Sequence, residues 1–217
     1  MSGRTATRGG QGLRGLRRFV TAVPPAAEER CEMCGVDLAT AGHRHLVDIR
    51  QRSLACACTP CALLFEQPGA AGGRFRVVPD RVLRGGPPAE GVWERLRIPV
   101  GVAFLFRNSD QDRTVALYPS PAGATESDLD PATWESALVG TGLATAVQPD
   151  VEALLLRRAG ERTDCYLVPV DAAYELVGRM RLHWRGFDGG SRAHAELDAY
   201  FAGIERRARD LRPGGRS

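Results

Sequence analysis

The chain has 217 residues, 43% of them hydrophobic, which is enough for one large domain or for a small domain followed by a medium one. Its net charge is +3, but residues 1–18 hold five arginines and no acidic residue, so the remainder stands at −2 and lacks the basic surface expected of a nucleic-acid-binding domain. All 29 basic residues are arginine, and the absence of lysine excludes Schiff-base catalysis, a lysine-bound pyridoxal cofactor and a phosphate-loop lysine.

Residues 1–27 are an Arg- and Gly-rich segment that we expect to be a disordered tail, because its apolar content cannot offset the entropy of ordering. Arg17 and Arg18 resemble the start of a twin-arginine export signal. The apolar run that follows is cut short at Pro24, whereas a signal core needs about 7–15 residues. The sequence also contains no apolar run of transmembrane length, so we expect a cytoplasmic protein.

Residues 28–66 contain five of the six cysteines and are predicted to form a zinc-binding module in a reducing compartment. Each Cys-x2-Cys pair can form a tight turn whose two thiolates point the same way. Two such turns facing each other complete a tetrahedron around a metal ion. The predicted ligands of Zn²⁺ are Cys31, Cys34, Cys58 and Cys61, with iron as the alternative metal because it accepts the same four thiolates.

The surroundings of these cysteines favour a treble clef or a zinc ribbon. Gly35 follows the first pair, where such a turn needs a residue that tolerates a positive φ. Leu46–Leu54 has the composition of a β-hairpin. The second pair leads into Ala62–Phe65, which we expect to start a helix whose N-terminus favours the negative thiolates.

Cys56, His43 and His45 are additional candidates for metal or redox chemistry. Cys56 could replace Cys58 as a ligand, act as a redox-active thiol near the site, or be a partly buried neighbour. His43 and His45 would share one face of a strand, where they could bind a second metal, replace a cysteine, or be polar surface groups. Disulfides, or cysteines buried as apolar residues, are the other interpretations of the cluster.

Residues 67–73 form a turn-rich linker, and residues 74–206 are predicted to be an α+β domain with a mainly antiparallel sheet and C-terminal helices. Residues 207–217 are expected to be a second disordered tail. Strands are predicted at residues 74–78, 98–106, 114–118, 153–158 and 165–170, of which the second and third pair and the last two form a hairpin. Helices are predicted from Pro87 through Leu96, over 131–140 behind the cap Asp130, from Asp171 and from Ser191.

Residues 118–127 hold two prolines and then a glycine, and they are predicted to be a recognition loop or, alternatively, a solvated connection. The candidate partner-binding residues in it are Tyr118, Ser120, Thr125 and Glu126. Cys165, His183 and His194 have no nucleophile signature around them, so we expect no catalytic residues and no enzymatic activity.

Six stretches of the chain together resemble an uncharacterised actinobacterial family whose genes are often found beside those of nickel–iron hydrogenases. They are Cys31-x2-Cys34, His43-Arg44-His45-Leu46, Cys56-x-Cys58-x2-Cys61-Ala62-Leu63-Leu64-Phe65, Ile98-Pro99-Val100-Gly101, Tyr118-Pro119-Ser120-Pro121-Ala122-Gly123-Ala124-Thr125-Glu126-Ser127 and Trp184-Arg185-Gly186-Phe187. The similarity covers roughly residues 28–205. It implies a role in the assembly, maturation or support of a hydrogenase.

Three functional hypotheses follow. The first is a non-enzymatic zinc-binding accessory protein whose partner is a hydrogenase subunit or a maturation factor. The second is a metal or redox carrier that uses Cys56, His43 and His45. The third is a nucleic-acid-binding zinc ribbon, which the acidic body of the chain disfavours.

Overall fold

The structure is a computed structural model that describes residues 29–67, 69–120, 123–186 and 189–211. The expected tail over residues 1–27 lies outside the described residues, as do residues 212–217. The described residues form a small three-stranded sheet beside the cysteine cluster and a seven-stranded sheet with helices on both faces. The predicted α+β class, with mainly antiparallel sheets and C-terminal helices, is confirmed.

The small sheet is antiparallel and has the strand order β2-β1-β3. β1 (His43–Asp48) and β2 (Ser53–Cys58) form the expected hairpin. β3 (Phe75–Val77) pairs with the free edge of β1, so the strand predicted there belongs to the small sheet and not to the second domain. We therefore define the cysteine module as residues 29–78, which is longer than the segment ending at residue 66 that the composition suggested.

Short helical segments complete the cysteine module. Their bounds are α1 Leu38–Ala41, α2 Thr59–Leu63 and a 3₁₀ turn at Ala70–Gly73. The Asp37 side chain caps α1 by accepting a 2.8 Å hydrogen bond from the amide of Ala39. Leu46, Ala57 and Ala62 pack with the buried cysteines, so the module has a small core of its own.

The seven strands of the large sheet lie in the order β10-β4-β9-β8-β5-β6-β7. Their bounds are β4 Leu83–Arg84, β5 Val102–Asn108, β6 Arg113–Ser120, β7 Gly123–Leu129, β8 Glu152–Ala159, β9 Arg162–Pro169 and β10 Arg209–Asp210. Among these strands β10 runs parallel to β4, and the other pairings are antiparallel. The predicted pairing of β5 with β6 and the predicted β8–β9 hairpin are both confirmed.

The central strands of the large sheet are buried on both faces, which explains their almost continuous apolar sequence. Alternate residues along Ala153–Leu156 contribute to two different hydrophobic clusters, one on each face. One face is covered by α5 (Val170–His183) and α6 (Gly190–Arg207), and the other by α3 (Val92–Leu96) and α4 (Pro131–Leu138). The large sheet is therefore the middle layer of three.

The helix predictions hold, with differences at the ends. α4 starts at Pro131 behind Asp130, whose side chain accepts a 2.9 Å hydrogen bond from the amide of Thr133. α3 starts at Val92, later than the pair Pro87-Pro88 suggested, because Gly91 with φ 72° ends the preceding segment.

Two segments expected to be irregular form strands instead. The predicted recognition loop over residues 118–127 lies largely within the β6–β7 hairpin, where Tyr118 is opposite Thr125. The first described residues of the expected tail after residue 206 are also ordered, since Arg209 pairs with Leu83 in the large sheet. β7 is ordered by pairing with the adjacent strand β6, and β10 by long-range pairing with β4; local composition indicates neither pairing.

An apolar contact joins the cysteine module to the large sheet. Val47, Ile49 and Val78 of the module form one buried cluster with Val151 and Val170 of the sheet domain. This contact places β1 beside the N-terminus of α5. A side chain at the start of α5 can therefore reach the cysteine module.

Asp48, at the end of β1, is expected to make stability depend on pH. Its carboxylate is buried. It accepts hydrogen bonds from the Arg50 and Gln51 amides at 3.1 and 3.0 Å and from Arg74 Nε at 2.8 Å. The Arg74 hydrogen bond lowers the pKa of Asp48, and burial only partly opposes it. The stabilisation is therefore complete above the unfolded pKa of about 4 and is lost as the pH falls through the lower folded pKa.

Asp48→Asn should cost about 1–3 kcal/mol at pH 7 and should flatten the fall in stability below pH ~4. Urea unfolding from pH 7 to pH 3 measures both effects. Asp110→Asn, at an exposed aspartate, is the matched control. Equal acid sensitivity of Asp48→Asn and the unaltered chain would show that Asp48 does not contribute.

Candidate metal centre

The first cysteine turn of the candidate metal centre is the segment from Cys31 to Val36. The amide of Gly35 donates to the carbonyl oxygen of Cys31 at 2.7 Å, and the amide of Cys31 donates to the carbonyl oxygen of Val36 at 2.8 Å. Gly35 has φ 78°, the left-handed conformation that the sequence pattern predicted for it. These bonds fold the chain back on itself between Cys31 and Cys34.

The second turn lies at the junction of β2 and α2. Cys58 ends β2 and is the N-cap residue of α2, and Cys61 lies inside this five-residue helix. The helix begins at Thr59, earlier than the Ala62 start expected from composition, and Pro60 stands in its first turn. The second cysteine pair is thus held by the start of a helix, while the first pair is held by a turn.

The four sulfur atoms of Cys31, Cys34, Cys58 and Cys61 all lie within 4.8 Å of one another, and the Cys34 and Cys58 sulfurs are 3.8 Å apart. A tetrahedral ion with metal–sulfur bonds of about 2.3 Å needs sulfur–sulfur distances of about 3.8 Å. All six cysteines are described residues, and the structure has them as free thiols. The four cysteines can therefore hold a metal ion.

Two of these thiols have strongly shifted pKa values. Burial raises the pKa of Cys31, but hydrogen bonds from the backbones of Cys58, Cys34 and Met33 outweigh it and lower the pKa to about 6. Hydrogen bonds with the Cys34 and Cys58 side chains, together with burial, raise the pKa of Cys61 to about 12. Because a metal ion binds the thiolate and not the thiol, an ion at this site would have to displace the proton of Cys61.

The structure places Cys58, and not Cys56, among these four cysteines. Cys56 instead lies with His43 and His45, and one possible ligand atom from each residue falls within 4.8 Å of the others. The two imidazole rings are 4.6 Å apart between centroids, on the shared face that strand alternation predicted.

Asp171, in the first turn of α5, contacts the cluster of His43, His45 and Cys56, and sequence reasoning missed it. Its Oδ2 lies 2.7 Å from Nδ1 of His45, although the two residues are 126 positions apart in the chain. This hydrogen bond raises the pKa of His45, and partial burial opposes it. An acidic residue at a helix start is a common feature, so the sequence offered no signal that Asp171 would meet β1.

The candidate partner-binding residues divide between two places. Tyr118 and Ser120 line a cleft of about 570 Å³, which also has Pro99 and Trp184 in its walls. Three of the motif stretches quoted above therefore meet at this cleft. Thr125 and Glu126 lie on β7, and Glu126 forms ion pairs with Arg52 and Arg113 at 2.7 and 2.5 Å.

Cys165 lies in the core of the large sheet, as its strand context suggested. It is buried in β9, and this burial raises its pKa to about 12. A thiol in that environment stays protonated at neutral pH and is a poor nucleophile. Within the part of the chain that the structure describes, no helix is both long and apolar enough to cross a membrane.

Comparisons with known proteins identify one family. A family model described as "Family of unknown function (DUF5947)" matches residues 30–208, more than four fifths of the chain. No curated protein and no solved structure matches the chain. The matched segment begins just before Cys31 and ends just after α6, so it includes both the cysteine module and the helices that cover the large sheet. The chain therefore belongs to the DUF5947 family of unknown function.

Proposed function

We infer that this chain is a non-enzymatic accessory protein in which Cys31, Cys34, Cys58 and Cys61 hold a structural Zn²⁺. The observation that carries this proposal is the set of four sulfur atoms within 4.8 Å of one another. Four thiolates fill all the positions of a tetrahedral zinc, so no position is left for a substrate. The succession of turn, hairpin and helix start that bears the cysteines is that of a treble clef.

The surface of the cysteine module supports a role in protein–protein contact. Among the described residues seven large hydrophobic side chains are exposed, and four of them lie in the module: Met33, Val36, Leu63 and Leu64. They lie in or directly after the two cysteine turns, which the bound zinc would hold together. A rigid pair of turns with apolar tips favours a protein partner, because exposed apolar side chains gain free energy when a partner covers them.

The partner in this proposal is a subunit or a maturation factor of a nickel–iron hydrogenase. Its support is the resemblance carried by the cysteine, Ile-Pro-Val-Gly, Tyr-Pro-Ser-Pro and Trp-Arg-Gly-Phe stretches. The protein would assist assembly, maturation or function of the hydrogenase by contact, without a reaction of its own.

The metal is tested by purifying the chain without added metal and measuring its elemental content and visible spectrum. We expect one zinc per chain and a colourless protein. A coloured protein with one iron per chain would replace zinc by a ferric thiolate centre, since the ligand geometry suits both metals.

The partner is tested by affinity purification from cells that make a nickel–iron hydrogenase. The unaltered chain should recover a hydrogenase subunit or maturation factor, and Leu64→Glu should lose it. Leu182→Glu is the matched control, because Leu182 is 79% exposed on α5 and Leu64 is 69% exposed in the module. Repeated recovery of no hydrogenase component, or equal recovery by Leu64→Glu, would contradict the proposed contact.

A further inference from the structure

We propose that His43, His45 and Cys56 form a second metal site, separate from the four cysteines, that binds a divalent transition metal ion reversibly. Two imidazoles and one thiolate are the donor set that zinc and its neighbours in the first transition row accept. The four-cysteine site uses none of these residues, so this inference does not depend on the proposed accessory function.

The pairing of β1 with β2 builds this site. His45 is directly opposite Cys56, and His43 is opposite Cys58. Alternate residues of a strand share a face, so His43 and His45 lie side by side next to Cys56. The backbone of Cys56 is fixed as well, since its amide donates to Glu32 Oε1 at 2.6 Å and its carbonyl oxygen accepts from the Glu32 amide at 2.8 Å.

Asp171 prepares His45 to bind a metal. Its carboxylate is hydrogen-bonded to Nδ1 of the His45 ring at 2.7 Å, which leaves Nε2 as the ring nitrogen available to an ion. Metal-binding histidines commonly present their other nitrogen to a carboxylate, which fixes the orientation and the tautomer of the ring. This contact comes from another part of the fold and is therefore independent of the hairpin that groups the three ligands.

The environment of the site leaves room for a fourth ligand. The side chains of His43 and His45 are 35% and 30% exposed, and Cys56 is partly buried. Glu29 lies 3.4 Å from Nδ1 of His43 and adds negative charge at the rim. Three protein ligands with an accessible fourth position are typical of sites that bind water, a substrate or a donor from another molecule, whereas structural sites are closed.

Cys56 and Cys58 are two positions apart on β2 and therefore lie on the same face of the strand. The second ion would thus lie beside the four-cysteine site but would have a separate set of ligands. The two sites would then differ in how readily they exchange their metal ions with the solution. The closed site would retain its ion, while the open site would gain and lose an ion according to its free concentration.

The test uses the full chain carrying one zinc per molecule, titrated with Co²⁺. Cobalt binds a given set of ligands more weakly than zinc, so the zinc already present should stay in place. We expect one Co²⁺ per chain, with a sulfur-to-cobalt charge-transfer band in the near ultraviolet. Cys56→Ser should lose this band and His45→Ala should lose the cobalt. Asp171→Asn should weaken cobalt binding about 10–100-fold, and all three variants should keep their zinc.

His194→Ala is the control, since His194 lies on α6, bonded through Nδ1 to the carbonyl oxygen of Gly190, and takes no part in either site. Its cobalt affinity should equal that of the unaltered chain. The inference is overturned if the zinc-loaded chain binds no cobalt. It is overturned equally if His45→Ala, Cys56→Ser and Asp171→Asn bind cobalt with unchanged affinity while retaining zinc. Zinc content and circular dichroism separate these results from misfolding, and a failure of the first site would appear as missing zinc.

Discussion

Cys31→Ser is expected to remove the zinc ion proposed for the four-cysteine site and to unfold the cysteine module while the large sheet stays folded. Structural zinc contributes about 10–16 kcal/mol to the folding of small zinc domains, which is more than the small core of this module can replace. The core of the large sheet consists of two separate clusters and includes no residue of the module. Elemental analysis measures the zinc, and hydrogen exchange measures the protection of residues 29–78 and of β8 separately.

Cys56→Ser is the matched control for Cys31→Ser, because Cys56 lies on the same hairpin but outside the set of four sulfurs. It should keep one zinc per chain and normal hydrogen-exchange protection in β1 and β2. A chelator added to the unaltered chain should reproduce the effect of Cys31→Ser. Retention of zinc and of module protection in Cys31→Ser would show that the four cysteines do not hold the module together.

Arg81→Met should destabilise the sheet domain by about 3–5 kcal/mol, because it leaves a buried carboxylate without its cation. Glu152, the first residue of β8, is fully buried. Its two oxygens accept hydrogen bonds from Arg81 Nε at 2.7 Å and Nη2 at 2.9 Å, and from the amide of Gln148 at 2.9 Å. Chemical denaturation monitored by fluorescence measures the loss.

Adding Glu152→Leu to Arg81→Met should recover much of that loss, since replacing a buried ion pair by apolar residues is often neutral. Arg84→Met provides the comparison for an exposed ion pair. Arg84 lies 3.7 Å from Asp210, which is almost fully exposed, so this substitution should cost less than about 1 kcal/mol. Equal effects of Arg81→Met and Arg84→Met would mean that burial of Glu152 does not control the energy of its pair.

The elements that sequence reasoning found are those with a local physical cause. Asp130 followed by Pro131 specifies a helix start, and the polar turns of the β5–β6 and β8–β9 hairpins separate apolar runs. The elements it missed have no such local signal. β4 and β10 contain two residues each, too few for a periodic pattern. β7, at the edge of the large sheet, is made mainly of small and polar residues, so it lacks the alternating apolar residues by which a strand is recognised in sequence.

The candidate metal centre likewise has features that the sequence predicts and features that it does not. The spacing of the two Cys-x2-Cys pairs and the glycine after the first pair predict that the four sulfurs lie close together, because each pair forms a turn between residues near in sequence. The choice of Cys58 over Cys56 depends on how β2 runs into α2. The contact of His45 with Asp171 depends on the packing of the cysteine module against the start of α5, and no pattern in either segment predicts a partner 126 residues away.

The distance in sequence between His45 and Asp171 has a consequence for the order of events during synthesis. All four cysteines and the three strands of the small sheet lie within residues 29–78, so the ribosome completes the first metal site early. Asp171 follows roughly 90 residues later, which takes about 5–20 s at ordinary translation rates. The nascent chain would therefore acquire its closed site before the carboxylate that orients His45 exists. His43, His45 and Cys56 are made together with the four cysteines, but the second site would reach its full affinity only after Asp171 has been made and has joined His45.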